Sequence, residues 1–355
     1  MILSVTVVIP VKNERNRILM GLRSLINQSH LPNEVWVIDD CSTDGTWEAL
    51  LAFKNTFSLP FPLYLHRIEY DNKNRAYLRN YGTSRASSDL VAFMDGDCIA
   101  VKSWLFHLTR PLLASSCPPE LVGTGGIMKS YHQTLLGELF EVMSGSIYKS
   151  PSKLSFLVGG NCCYKKEVLE EIGGFNEEIF TGEDSEIGVR LVHQGYCFRY
   201  VPNAVVYNQF PSKILELIRK FFKYGQGAYF TYQTEKAIVL KSKKNKRKIH
   251  SFLFFEKGES LLRQVNLHML IRLMKRFAKT VKRSPKTSDL AIQDNTDSDA
   301  IKLSQKRYSF PRKILFLFFA SLAYFSYLRG FIWHHRLVYK ISDMSKKRNA
   351  NGGIE

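Results

Sequence analysis

The chain has 355 residues, 45% of them hydrophobic and 23% charged. This is ordinary for a folded protein with a sizeable core, and it excludes a disordered chain, a fibrous repeat and a many-pass membrane protein. Six cysteines, at 41, 98, 117, 162, 163 and 197, show no C-x-x-C spacing, which excludes a disulfide scaffold or zinc ribbon and fits a reducing compartment. The net charge of +18 is uneven: residues 1–240 hold 24 Lys+Arg against 24 Asp+Glu, and residues 241–355 hold 26 against 8. A neutral folded part is thus followed by a basic tail that seeks an anionic partner, nucleic acid or a membrane surface.

The run Ile2 to Pro10 is β-branched and stops at proline, which predicts a buried first strand. It is too short for the apolar stretch of a secretory leader, so none is expected. Ile18, Leu22, Leu25 and Ile26 then follow helical spacing. A second strand is predicted at Glu34 to Asp39, and a helix from about Thr46, with Thr46 as its N-cap. A third strand is predicted at Leu63 to Ile68 and a fourth at Asp89 to Met94. Strands alternating with helices predict an α/β fold with a mostly parallel sheet flanked by helices.

Ligands of open α/β sheets bind beyond the carboxyl ends of the strands, and acidic residues collect at those ends here. Glu14 follows the first strand, Asp39 and Asp40 close the second, and Asp95-Gly96-Asp97 follows the fourth. Two carboxylates one residue apart at a strand end can face one pocket. Mg²⁺ and Mn²⁺ take few protein carboxylates and complete their shells with water and phosphate oxygens. The bland alternative is a solvated turn, since Asp and Gly favour turns. A carboxylate at the end of the second strand can accept a hydrogen bond from a base N–H or a ribose hydroxyl.

Seven segments in order, VVIPVKNE (7–14), VIDDCSTDGT (37–46), LRN (78–80), FMDGDC (93–98), GGN (159–161), IGGFNE (172–177) and GEDSEIGVRL (182–191), together resemble the family 2 glycosyltransferases of the GT-A fold over roughly residues 4–230. The resemblance implies a nucleotide-diphospho-sugar donor with a UDP-sugar favoured, a divalent metal (Mn²⁺ or Mg²⁺), and an inverting transfer to a hydroxyl of a glycan or lipid-linked acceptor. It places Pro10, Val11 and Glu14 along the nucleotide pocket, with Asp39 at its edge. Asp40 would lie on the base with Arg79 beside it, and Asp95 on the ribose and near the metal. Asp97 would bind the metal, and Gly160 and Asn161 would sit near the sugar. Asp184 would be the catalytic base, with Glu183 helping to bind the acceptor. The bland reading of Glu183-Asp184 is a pair of acidic residues favouring a helix N-terminus. Two positions depart from the family pattern: Cys41 stands where glycine is usual, and Asn208 where many relatives carry histidine. Trp36, Trp47 and Trp104 are read as core rather than sugar platforms, with Tyr131 and Trp104 kept as weaker acceptor-site candidates. The rival functions are a nucleotidyltransferase of related fold, which lacks its glycine-rich basic loop here, and a degenerate sugar-nucleotide-binding scaffold subunit, which Asn208 keeps open.

The sequence divides into a catalytic domain (1–230), a basic amphipathic helical region (231–283), a polar linker (284–310), an apolar helix (311–336) and a flexible basic tail (337–355). Ile314 to Leu328 is uncharged for 15 residues. That gives about 22 Å of helix, and about 30 Å if extended to Trp333 with Arg329 snorkelling. The segment is read as spanning the membrane, lying on it, or packing as a core helix. The first two readings place the enzyme on the cytoplasmic face of the cell membrane against anionic lipid. Nucleic acid is set aside as a partner, because no nucleic-acid module is visible and an apolar segment has no purpose there.

Overall fold

A computed structural model of the chain describes residues 4–69, 73–132, 134–145, 154–241 and 325–334. The elements run β1 (Val5–Val11), α1 (Arg15–Ile26), β2 (Glu34–Asp39), α2 (Thr46–Thr56), β3 (Leu63–Arg67), α3 (Arg75–Arg85), β4 (Leu90–Met94), β5 (Cys98–Ala100), α4 (Trp104–Leu113), β6 (Leu121–Ser130), α5 (Leu135–Gly145), β7 (Asn161–Lys165), α6 (Lys166–Glu171), α7 (Glu183–His193), β8 (Cys197–Asn208) and α8 (Ile214–Lys241). A further helix, α9, occupies 325–334.

One eight-stranded sheet has the order β3-β2-β1-β4-β7-β6-β8-β5. Strands β3, β2, β1 and β4 pair in parallel, as the alternating strand–helix pattern predicts. Strand β7 then enters antiparallel between β4 and β6, while β6 and β8 pair in parallel. Every residue of β1 and β4 is buried, which is why both read as unbroken apolar runs rather than alternating ones. Val7 and Ile9 face the layer of Ile18, Leu22, Leu25 and Trp104, whereas Val8 faces the layer of Ala76, Leu78, Ile187 and Leu191. Each such aliphatic side chain contributes about 1.5–3 kcal/mol on burial. This two-sided packing fixes where the loops after β1, β2 and β4 emerge.

Two local expectations are corrected. Thr46 is the first residue of α2 and not its cap: Gly45, at φ 87°, takes that position, and the Asp44 carboxylate accepts from both the N–H and the hydroxyl of Thr46. Helix α8 is continuous through residue 230, where the sequence reading ended the catalytic domain. Its glycines explain its docking. A Cβ at Gly227 would run into the Thr181 carbonyl and the Gly182 backbone, and one at Gly225 into the Tyr327 carbonyl of α9. Helix α8 therefore lies between the start of α7 and α9. No helix among the described residues is long and apolar enough to cross a membrane. The expectations for 242–324 and 335–355 lie outside the described residues.

Candidate active site

The end of β1 and the turn after β4 are in contact. A Cβ on Gly96 would stand 2.9 Å from Val11 Cγ2 and 3.3 Å from the Pro10 carbonyl oxygen, so only glycine lets Asp95 and Asp97 lie against the tip of β1. Burial, then the nearby Asp97 charge, push Glu14 up to about 7; its carboxylate also lies 2.6 Å from Arg17.

Asp39 is fully buried and organises its own turn: its carboxylate accepts from the Ser42 N–H and hydroxyl and pairs with Arg67 at 3.5 Å. This corrects the expectation that it edges the nucleotide pocket. Asp40 differs. Lys12 lies 2.9 Å from its Oδ2, while its buried Oδ1 has no hydrogen-bond partner. A buried acceptor left open in this way is suited to a ligand donor.

Arg79 is not beside Asp40. Only 2% of its side chain is exposed, its Nη1 pairs with Glu183, and its Nη2 lies 3.1 Å from Asp95 Oδ1. It is a clamp between the end of β4 and the start of α7. Glu183 is correspondingly buried and committed to Arg79, so its expected acceptor contact is not what the geometry shows. Burial would raise Asp95, but the Arg75 and Arg79 guanidiniums prevail and hold it below the usual carboxylate range. Asp97 goes the other way: burial, then the Asp95 charge, raise it. Asn208 Nδ2 donates to Asp97 Oδ1 at 2.7 Å, and Asn208 Oδ1 is buried without a partner.

Asp184 sits in the first turn of α7 behind Gly182, whose φ of 84° suits glycine. Its Oδ2 accepts from the Gly159 N–H at 3.0 Å and its Oδ1 from the Ser185 N–H at 2.8 Å. Burial and the adjacent Glu183 outweigh these bonds and lift it to about 6. The charges of Asp95, Asp97 and Asp184 all bear on the Tyr224 hydroxyl, and burial raises that phenol further. Gly160 lies against this edge, since a Cβ there would meet Asp95 Oδ2 at 2.7 Å. Asn161 does not. It is fully buried, accepting from Trp104 Nε1 and donating to the Ile127 and Ala204 carbonyls, so its amide is engaged inside the core, where Trp104 also lies as the sequence predicts. Tyr131 is 48% exposed.

Three residues missed by sequence reasoning complete the site. Arg75 is solvent-exposed and held firmly protonated by Asp95, Glu183 and Asp97. Its position one turn before Arg79 on α3 was a usable signal. Lys220 and Tyr224, on α8, carried none, because the sequence does not show which strand ends that helix faces. Among the described residues no three His, Cys, Asp or Glu side chains cluster as metal ligands. The donor set at Asp97 is instead one carboxylate with one open amide oxygen from Asn208. That set fits a hard cation only when phosphate oxygens and water fill the remaining positions.

A family model described as glycosyl transferase family 2 matches residues 6–173, and one described as glycosyl transferase family group 2 matches residues 104–339. Glycosyltransferase AglE of Haloferax volcanii is 28% identical over 63% of this chain and 72% of its own length. The O-antigen chain rhamnosyltransferase RfbN of Salmonella typhimurium is 24% identical over 63% and 72%. The probable glycosyltransferase YdaM of Bacillus subtilis is 22% identical over 71% of this chain, which spans 61% of YdaM. The mannosyltransferase PcManGT from Pyrobaculum calidifontis, solved in complex with GDP-Man and Mn²⁺, superposes with a TM-score of 0.56 at 19% identity, covering 98% of this chain and 87% of its own. That likeness establishes the GT-A fold.

Proposed function

The chain belongs to the family 2 glycosyltransferases, and on that premise we propose that it moves a sugar from a nucleotide-diphospho-sugar to an acceptor hydroxyl with inversion at the anomeric carbon. The observation that carries the reading is that Arg79, through Asp95 and Glu183, ties the end of β4 to the start of α7. Asp97 follows β4, and Asp184 stands at the start of α7, lifted to about 6. In an inverting displacement the attacking hydroxyl loses its proton on the face opposite the leaving group, and one carboxylate within hydrogen-bond reach accepts it. Asp184 has that role: the hydroxyl proton passes to its carboxylate as oxygen bonds to the anomeric carbon and the bond to the diphosphate breaks. A raised basicity near neutral pH makes it a better base than an ordinary aspartate.

Asp97, with Asn208 Oδ1, would hold a divalent cation. Such an ion, Mn²⁺ or Mg²⁺, neutralises charge on a leaving diphosphate without a proton donor. Asp40 would take the base of the nucleotide through its open Oδ1. Arg79 and Glu183 are positioning residues that lock the two halves of the site together. The acceptor we propose is a glycan or a lipid-linked sugar of the cell surface. The place we propose is the cytoplasmic side of the membrane, with the basic tail on anionic lipid.

The test is a screen of nucleotide sugars, UDP- and GDP-linked among them, for transfer or donor hydrolysis by the purified chain with Mn²⁺, Mg²⁺ or chelator. Asp97→Asn and Asp184→Asn should each lose turnover at unchanged folding. Substantial turnover in both variants would refute the assignment.

A further inference from the structure

Two cations on different helices bear on the Asp95–Asp97 edge, and neither is spoken for. Arg75 begins α3, Lys220 lies in α8, and each feels the charges of both Asp95 and Asp97. Among the described residues neither makes a salt bridge. Arg79, by contrast, pairs with Asp95 and Glu183. The Lys220 ammonium stands 4.6 Å from the centre of the Phe140 ring and 5.9 Å from that of Phe210. The two rings hold the ammonium in place without neutralising it. Tyr224, one turn further along α8 and so on the same face, adds a phenol hydroxyl that is raised by burial and by the same carboxylates. A half-buried ammonium that a neighbouring guanidinium repels and that makes no salt bridge is costly to keep unless an anion joins it.

We propose that Lys220, with Arg75, grips the diphosphate of the donor, so that α8 is the wall of the site that reads the β-phosphate. The proposal rests on the transfer reading above and adds to it a residue and a specificity. The chemistry agrees with the placement. When the bond to the anomeric carbon breaks, the diphosphate gains a negative charge, and a fixed ammonium stabilises that product more than the intact donor. An ammonium whose purpose is to cover Phe140 and Phe210 would instead serve through its aliphatic stem alone, and methionine would replace it without loss.

The experiment is calorimetry on the full chain in Mg²⁺ with five nucleoside diphosphates (UDP, GDP, CDP, ADP and dTDP) and the matching monophosphates. Lys220→Met keeps the length and the apolar stem, and Lys220→Arg keeps the charge. The expected result is a loss of about tenfold or more in diphosphate affinity for Lys220→Met, within about twofold for the monophosphate, and substantial recovery in Lys220→Arg. Equal effects on the two nucleotide classes, or none, with only a shift in melting temperature, overturn the proposal and leave the transfer reading standing. Wild-type protein that binds no nucleoside diphosphate overturns both.

Discussion

Asp97 and Asp184 are both raised by burial, yet the chemistry asks opposite things of them. In the proposed reaction Asp97 would stay ionised against a cation, whereas Asp184 would exchange a proton. The pH dependence follows from Asp184. Its carboxylate, lifted to about 6, is protonated and idle below that value and able to accept a proton above it. Transfer at limiting substrate, kcat/KM, should therefore rise about tenfold per pH unit below 6 and level off above about 7; a flat profile from pH 5 to 7.5 would remove Asp184 as the base. The same shift has a stability consequence of opposite sense. A carboxyl whose folded pKa lies above its unfolded value of 3.8 costs nothing below 3.8, and its cost grows as pH rises through that window. Asp184→Asn should then melt at or above the wild-type temperature at pH 7.5 while losing at least about a hundredfold in rate. At pH 4 the stability difference should vanish. Asp97→Asn is predicted to behave differently. It should weaken activation by Mn²⁺ or Mg²⁺, and added metal should restore part of its rate, as no metal concentration does for the Asp184 variant. Metal titrations of the two variants side by side make that comparison.

Helix α7 is where two elements that carry no reacting group control one that does. Arg79 on α3 ties its start to the end of β4 through buried pairs. Replacing the guanidinium with an apolar side chain strands two carboxylates. Arg79→Met should therefore lose about 3–5 kcal/mol in urea unfolding, and adding Glu183→Gln should recover a substantial part of it; additive losses would mean the pair is not coupled. Helix α8 presses on the same place through Gly227. Alanine there gains about 1 kcal/mol of helix propensity, but its methyl would collide with the Thr181 carbonyl and the Gly182 backbone. Overpacking of that kind costs about 1–3 kcal/mol and moves backbone, so Gly227→Ala should lower both stability and turnover, read by melting and by kcat. What the sequence disclosed at this scale follows burial. Strands β2 and β4 and helices α1 and α7 were legible because apolar spacing reports a buried face, and the placing of Asp97 after β4 and of Asp184 in the first turn of α7 because those positions follow directly from the element ends. The contacts of Asn161 and Arg79 were not legible, because a motif gives a position along the chain and not the direction of a side chain, whereas Trp104 is core as its apolar character predicts. Cys41 shows the reverse: its φ of 49° is a backbone reason for glycine to be usual there.

At the scale of the molecule the charge partition joins the two halves of the problem. Residues 1–240 are neutral and the surplus of 18 positive charges lies after residue 240, so the proposed attraction to an anionic surface would come from that part of the sequence while the cleft keeps its own local balance. Within the described residues α9 packs its Leu328 and Phe331 inward, each under a tenth exposed. Gly330 lies against the Phe222 carbonyl and Gly225 against that of Tyr327. This part of the apolar segment is a partner of α8, the helix that also carries Lys220 and touches the start of α7. Sequence periodicity could not reveal this, since an apolar stretch of such length reads alike whether it faces lipid or another helix. The tail's basic runs nevertheless remain to be satisfied. Each Lys or Arg near an anionic surface contributes about 1 kcal/mol, and that attraction fades as the screening length shrinks to about 3 Å at 1 M salt. The full chain should therefore float with vesicles containing about a third phosphatidylglycerol at low salt, stay behind with pure phosphatidylcholine, and be released largely by 1 M NaCl if the tail binds by charge. Retention through high salt with release only by detergent would show that an apolar segment enters the bilayer. Failure to float on the anionic vesicles at low salt would end the membrane assignment while leaving the chemistry of the cleft untouched.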